Sequence, residues 1–269
     1  VTKIVLLWSV AVLAAIQLGC KRSDTTAGPS AATQPSRQVR VAAAADLKFA
    51  LDELAAAYRE LHPNADVQIT YGSSGNFYSQ LSNKAPFDLF LSADVGYVDK
   101  LIAAGLADKD TKFLYAIGQI VVWAPGESKL DVATQGVQSL LDPSVKKIAI
   151  ANPAHAPYGR AAEAALRKNG LWEKVQDRLV LGENIAQTAQ FVQSGSADVG
   201  IIALSLAMSP GMKDGRYYLI PQSDYPRLEQ AGVILSWAQD RPAADAFHQF
   251  ITAPEGKSIL AKYGFALPQ

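Results

Sequence analysis

Apolar and polar positions divide the chain into three stretches. Residues 4–16 are almost continuously apolar, and residues 21–38 are polar and rich in Ser, Thr, Pro and Ala. From residue 39 short apolar runs alternate with amphipathic segments, the pattern of an α/β protein. Val39-Arg40-Val41-Ala42-Ala43-Ala44 predicts a strand. A helix from Leu47 to Leu61 follows, with Leu47, Leu51, Leu54, Tyr58 and Leu61 at three- and four-residue spacing, and His62-Pro63 stops it. Val67–Tyr71 alternates as a strand, Gly72-Ser73-Ser74-Gly75 opens a helix through Leu81, and Asp88–Leu91 and Val95–Ala104 predict a further strand and helix. Gln119–Trp123 reads as one long apolar strand. After it come strands at Ile148–Ile150, Leu179–Leu181, Val199–Ile202, Tyr217–Ile220 and near Gly232–Leu235. Helices are predicted at Gly159–Lys168, Ile185–Gln193, Ala243–Ile251 and Pro254–Tyr263.

Two runs of βα units with a long strand near each changeover predict two lobes joined by two crossing segments, around Gly118–Trp123 and Tyr225–Leu235. The first lobe spans residues 39–118, the second 119–228, and residues 229–269 return to the first.

The leading segments concern location. The apolar run behind Lys3 is too short for a comfortable membrane span and fits a signal peptide over residues 1–19. It ends at Gln17-Leu18-Gly19-Cys20, which resembles a bacterial lipobox. The only cysteine of the chain stands where a lipid would be attached, and residues 20–38 then form a lipidated, flexible tether. A lone cysteine excludes an internal disulfide framework and a multi-cysteine metal site.

Composition narrows the chemistry. Forty-nine per cent apolar and 19% charged residues describe a core-forming protein, and 25 basic against 25 acidic residues argue against a nucleic-acid partner. Residues 39–269 carry 21 basic and 24 acidic side chains, so an anion site must be built locally. The dinucleotide, P-loop and zinc-protease signatures are absent, and Gly72-Ser73-Ser74-Gly75 is one residue short of a nucleophile elbow. A hydrolase using Ser73 or Ser74 with His155 as base therefore lacks its motif and a placed acid. His62 and His248 read as structural, and no cofactor is expected.

What recurs is a strand running into a helix through a small or polar loop: Ala45-Asp46, Gly72–Gly75, Pro157-Tyr158-Gly159 and Glu183-Asn184-Ile185. Helix N-termini present unpaired N–H groups, so four such loops can receive an anion with neutral donors alone. Each loop by itself is also an ordinary helix cap. Together they point to a binding protein.

Val-Ala-Ala-Ala-Ala-Asp-Leu (41–47), Tyr-Gly-Ser-Ser-Gly (71–75), Ala-Pro-Phe-Asp-Leu-Phe-Leu-Ser-Ala-Asp (85–94) and Ala-Asn-Pro-Ala-His-Ala-Pro-Tyr-Gly (151–159) resemble the periplasmic molybdate-binding proteins of ABC transporters. So do Gly-Glu-Asn-Ile-Ala-Gln (182–187), Ala-Asp-Val-Gly-Ile-Ile-Ala-Leu-Ser (197–205) and Tyr-Gly-Phe (263–265). The resemblance implies a two-lobed periplasmic binding fold, each lobe a mixed, mostly parallel sheet flanked by helices, with the ligand in the cleft between lobes. It further implies delivery of molybdate or tungstate to a membrane permease; with the Cys20 reading, the expectation is a monomeric, periplasmic or cell-surface protein, lipid-anchored to a bacterial membrane. Molybdenum or tungsten would be held only as the oxyanion. The ligand positions fall on Asp46 with Ala45 beside it, Ser74 with Ser73 before it, Tyr158, and the backbone N–H of Ile185. A tyrosine that some members use after the strand matching Val199–Ile202 is replaced here by Ala203.

Asp46 is the departure that bears on substrate. Molybdate carries no proton near neutral pH, so its site should offer donors, whereas a protonated phosphate can donate to a carboxylate. As the N-cap of the Leu47 helix, Asp46 would fold its side chain onto first-turn N–H groups and leave only its backbone N–H for the ligand. Phosphate or sulfate remains the alternative ligand class.

Overall fold

The structure, a computed structural model, describes residues 37–268. The expected signal peptide, Cys20 and nearly all of the expected tether lie outside the described residues. The tether boundary at residue 38 is corrected, because Arg37 and Gln38 already pair with Ala65 and Asp66 as the first rungs of a sheet.

Among the described residues ten strands form two five-stranded sheets. The first contains β1 (Arg37–Ala44), β2 (Ala65–Gly72), β3 (Leu89–Ser92), β4 (Phe113–Gly118) and β10 (Leu228–Ile234), in the order β2-β1-β3-β10-β4. The second contains β5 (Ile120–Ala124), β6 (Ile148–Ala151), β7 (Leu179–Gly182), β8 (Val199–Ala203) and β9 (Arg216–Leu219), in the order β7-β6-β8-β5-β9. Each sheet is parallel apart from one reversed strand: β10 runs antiparallel to β3 and β4, and β5 antiparallel to β8 and β9. The helices are α1 (Lys48–Leu61), α2 (Ser74–Ser82), α3 (Val95–Ala103), α4 (Val132–Gln135), α5 (Pro157–Lys168), α6 (Trp172–Val175), α7 (Ile185–Gln193), α8 (Leu204–Ala207), α9 (Arg241–Thr252) and α10 (Pro254–Lys262).

Period-two alternation gives the first sheet two covered faces. Val39, Val41 and Ala43 of β1 pack with Leu51 and Leu54 of α1 and with Phe247 of α9. Ala42 points the other way, against Phe77 of α2 and Leu101 of α3, together with Phe90 of β3 and Val233 of β10. In the second sheet β5 is buried from end to end among Ile148, Ile150, Ile201 and Ile202. An all-apolar strand is what a sheet covered on both sides requires.

The chain passes between the sheets twice. Only Gln119 separates β4 from β5, and residues 220–227 lead from β9 back to β10. The strand expected at Gln119–Trp123 is β5, displaced by one residue, and the expected crossing falls at Gly118-Gln119; β4, on the other side of it, has no counterpart among the predicted strands. The predicted apolar stripe on α1 also stops one turn early, since Leu61 is 61% exposed at the helix end. The short helices α4, α6 and α8 carry too few residues to show a period.

Asp88, just before β3, fastens the first sheet. Its buried carboxylate accepts from Arg40 Nε (3.0 Å) and Nη2 (2.8 Å), and from the backbone N–H groups of Arg40 (2.9 Å) and Gln239 (2.8 Å). Burial pushes its pKa up, but the Arg40 and Gln239 hydrogen bonds and the Arg40 charge outweigh this and hold it below the ordinary carboxylate value. Its contribution to stability is therefore complete above about pH 4 and is lost as pH falls through the lowered value. Asp88→Asn leaves Arg40 facing a neutral partner and should cost roughly 2–4 kcal/mol in urea unfolding at pH 7. A cost under about 0.5 kcal/mol would show that this cluster does not hold the sheet.

Candidate functional site

The four loops identified from sequence lie at the carboxyl ends of β1, β2, β6 and β7, where ligands sit in open α/β sheets. The structure brings all six predicted residues, Ala45, Asp46, Ser73, Ser74, Tyr158 and Ile185, to the wall of one small cavity. Ala44, Gly72, Ala93, Ala156 and Pro157 complete the lining, so small side chains predominate and no lysine or arginine contributes. A larger groove near the sheet-to-sheet crossings, lined by Leu114, Ile117, Gln119, Arg227 and Leu267, contains none of the four loops.

Each polar residue plays a different part. Ser74, the first residue of α2, is buried, and its Oγ accepts from the Ala93 N–H at 2.9 Å. That bond uses an oxygen lone pair and leaves the hydroxyl proton to donate. Ser73 is the N-cap of α2, accepting from the Asn76 N–H at 3.3 Å, and its Oγ also lies 3.0 Å from His155 Nδ1. The Ser73 oxygen thus has partners in both lobes. Ile185 is the first residue of α7, where an N–H has no acceptor within the helix. The N-cap Asn184 accepts instead from Ala186 and Gln187, at 3.0 Å each.

The expectation that Asp46 caps its helix is corrected. Residues Ala45–Leu47 form a 3-10 turn and α1 starts only at Lys48, so Asp46 lies within the turn and its side chain is directed inward. There Oδ2 accepts from the Tyr158 hydroxyl at 2.9 Å and from Gln230 Nε2 at 2.6 Å, while Oδ1 has no partner. Gln230 Nε2 also reaches the Tyr158 oxygen at 3.0 Å, and Gln230 Oε1 is unpartnered. Tyr158 was expected to offer its phenol to a ligand; its proton is given to Asp46. Burial raises the Asp46 pKa to about 6, against the opposing effect of the bonds from Gln230, Tyr158 and its own backbone N–H. Burial and the nearby Asp46 charge push the Tyr158 phenol well above its ordinary value, so it keeps its proton.

Gln230 and Gly118 are missing from the sequence reading. Gln230 is fully buried in β10, and its signal is one amide inside the apolar run Leu228–Ile234. Gly118 ends β4 beneath the phenol; a Cβ there would lie 2.3 Å from the Tyr158 oxygen and 2.8 Å from Gln230 Nε2. Ser205 of α8, two residues beyond Ala203, donates to the Asp46 carbonyl at 2.8 Å.

Outside the cavity the two lobes are clasped by polar contacts. The Gly75 N–H donates to the His155 carbonyl at 3.0 Å, and a Cβ on Gly75 would lie 2.4 Å from that oxygen, so glycine is needed for the approach. Asn76 donates to Glu183, whose carboxylate stands 3.6 Å from His155 Nε2. Arg160 bridges to Asp94 at 2.6 Å and to the Tyr97 hydroxyl at 3.2 Å. Ser73, His155 and Glu183 are in sequence like a proton relay, but the serine oxygen is occupied as a helix cap, and the Ser73–His155 contact joins one lobe to the other. Among the described residues no group of three or more His, Cys, Asp or Glu could hold a metal ion.

Comparison with known proteins agrees with this architecture. The family described as bacterial extracellular solute-binding protein matches residues 39–266. The molybdate-binding protein ModA of Azotobacter vinelandii is 36% identical over 242 residues, 90% of this chain and 94% of its own. The ModA of Rhodobacter capsulatus is 34% identical over 85% of this chain and 88% of its own. The solved structure of the Azotobacter vinelandii periplasmic molybdate-binding protein superposes with a TM-score of 0.80 at 32% identity, covering 86% of this chain and all of that one. These relatives bind and are not enzymes. With two mixed sheets flanked by helices and a cavity walled by loops from both, the chain belongs to the bacterial extracellular solute-binding proteins.

Proposed function

We propose that this protein captures molybdate or tungstate in the cavity between its lobes and delivers it to the membrane permease of an ABC transporter. The observation that carries the reading is the cavity wall. It offers the Ser74 hydroxyl and the Ile185 N–H, both neutral donors, and no cationic side chain. A fully deprotonated tetrahedral oxyanion asks for donors and no acceptors. The identity to ModA proteins over most of their length supports the same ligand class.

A protein that hands its ligand to a permease must work at the outer face of a membrane. The apolar run before Cys20 supports export, and the cysteine supports a lipid anchor with residues 21–36 as the tether. The protein acts as a monomer with no resident cofactor. The buried Asp46 carboxylate on the cavity wall favours a second reading, in which a protonated phosphate donates to it.

Calorimetric titration of residues 37–269 with molybdate, tungstate, sulfate and phosphate separates the two readings. Molybdate and tungstate should bind tightly and phosphate weakly; the reverse order would assign the cavity to phosphate. Ser74→Ala removes a charge-assisted hydrogen bond and should weaken molybdate binding about 10- to 100-fold, corresponding to roughly 1.5–3 kcal/mol. Unchanged affinity would place Ser74 outside the ligand's reach. Gly118→Ala should displace the Tyr158 ring and lower affinity at least about tenfold. Its circular dichroism should match the parent's, and an affinity equal to the parent's would show that the Tyr158 position does not matter. Cys20→Ser in the full chain should move the protein from the membrane fraction to the soluble fraction with ligand affinity intact. A parent protein already soluble would remove the lipid anchor from this account.

A further inference from the structure

The network below the cavity is short of donors. Asp46 Oδ1 and Gln230 Oε1 are buried acceptors that no donor reaches, and the single Tyr158 proton is committed to Asp46 Oδ2. An oxyanion entering the cavity brings more acceptors to the same place. If the phenol turns its proton to the anion, the carboxylate loses one of the two side-chain donors that meet it; if it does not, an unpaired carboxylate oxygen and the anion share one small buried space. Either arrangement sets like charges together where water cannot screen them.

Nothing around Asp46 offsets this with positive charge. The groups facing it are Tyr158 from α5, Gln230 from β10, Tyr115 from β4 and Ser205 from α8, which bonds the Asp46 carbonyl. Both phenols stay protonated, because burial, joined by the Asp46 charge, pushes them well above their ordinary value. Tyr225 lies beyond them and acts on Tyr158. At the cleft Arg160 is paired with Asp94, and the Glu183 carboxylate stands against Asn76 and His155.

We infer that Asp46 is the specificity-determining residue of this cavity and that it works as a neutral acid: one proton is taken from solvent onto its carboxylate when a fully deprotonated oxyanion binds. The inference rests on the oxyanion-binding reading above. In the step, solvent supplies H⁺, an O–H bond forms on the Asp46 carboxylate, and no other bond forms or breaks. The acid then supplies the donor the network lacks. An anion that carries its own proton needs no such uptake, so pH separates the two kinds of ligand.

The test is calorimetric titration with sodium molybdate at pH 7.5 in two buffers of different ionisation enthalpy, repeated from pH 6 to 9. Burial raises the Asp46 pKa only to about 6, so the carboxylate is charged at pH 7.5 and the parent should take up about one proton per molybdate bound. Its affinity should fall about tenfold for each pH unit above about 6. Asp46→Asn, which carries a permanent donor, should take up none and bind with an affinity that does not change with pH. Tight molybdate binding by the parent with no proton uptake, or a pH profile shared with Asp46→Asn, overturns the inference while leaving the molybdate reading in place. Phosphate binding that Asp46→Asn abolishes, with no molybdate or tungstate binding by the parent, overturns both. Should the variant fail to fold by circular dichroism, the parent's proton count decides alone.

Discussion

Holding a carboxylate away from water costs several kcal/mol unless donors meet it, and the donors that meet Asp46 come from opposite lobes. Gln230 reaches it from β10 of the first sheet, and Tyr158 from the start of α5 beside the second. The contact therefore exists only while the lobes are together, and separating them would leave an acidic group with half its partners. Much of the surrounding structure serves this meeting. Gly118 leaves the space the phenol occupies, β10 runs antiparallel through the first sheet to place Gln230 beneath the loop of β1, and Ser205 fixes the Asp46 carbonyl. Asp46 thus links closure to the chemistry of the cavity.

The same constraint explains why the cavity is lined so sparsely. Ala44, Ala45, Ala93 and Ala156 stand where loops from two sheets converge, and none has a side chain long enough to keep backbone N–H groups from a small ligand. Of the helices that start there, α7 has an N-cap that satisfies its second and third N–H groups, and in α2 the N-cap takes the third and the His155 carbonyl the second, so each helix keeps a first N–H with no acceptor inside the helix. Positive charge is kept at the cleft, in Arg160, where it is paired with Asp94 across the lobes. The division is sensible physically: pairs near solvent can break and form as lobes move, whereas an ion pair inside a dry cavity would have to be desolvated at each cycle.

How much of this could be read in the sequence depended on how local each signal is. The helices α5, α7 and α9 were legible to within two residues, because their apolar stripes repeat several times and their starts carry proline, asparagine or aspartate caps. Strand β4 was not, since Phe113–Gly118 runs into the apolar β5 with only Gln119 between them, although the crossing between lobes was legible at Gly118–Trp123. The loops that wall the cavity were visible as strand-to-helix junctions, whereas the role of Asp46 was not. Its local context, an acidic residue ahead of a helix, fits a cap equally well. What decides against the cap is a tyrosine 112 residues away and a glutamine 184 residues away, and no periodicity carries such information. The one trace was Gln230 itself, a lone amide in a buried strand, where a polar group persists only if something distant satisfies it.

That long-range partnership also bears on release. The clasps outside the cavity, Gly75 to His155, Asn76 to Glu183 and Arg160 to Asp94, involve backbone or half-exposed side chains, so water replaces them at little cost when the lobes part. The Asp46 network is different, because its atoms are buried and water must enter before they can exchange partners. Opening from the rim inward therefore meets weak contacts first and the costly one last. A ligand that leaves Asp46 poorly satisfied lowers the cost of that last step, and one that completes the network raises it. Discrimination among oxyanions of similar size then resides in the number of donors the cavity floor can present and in the proton state that sets this number.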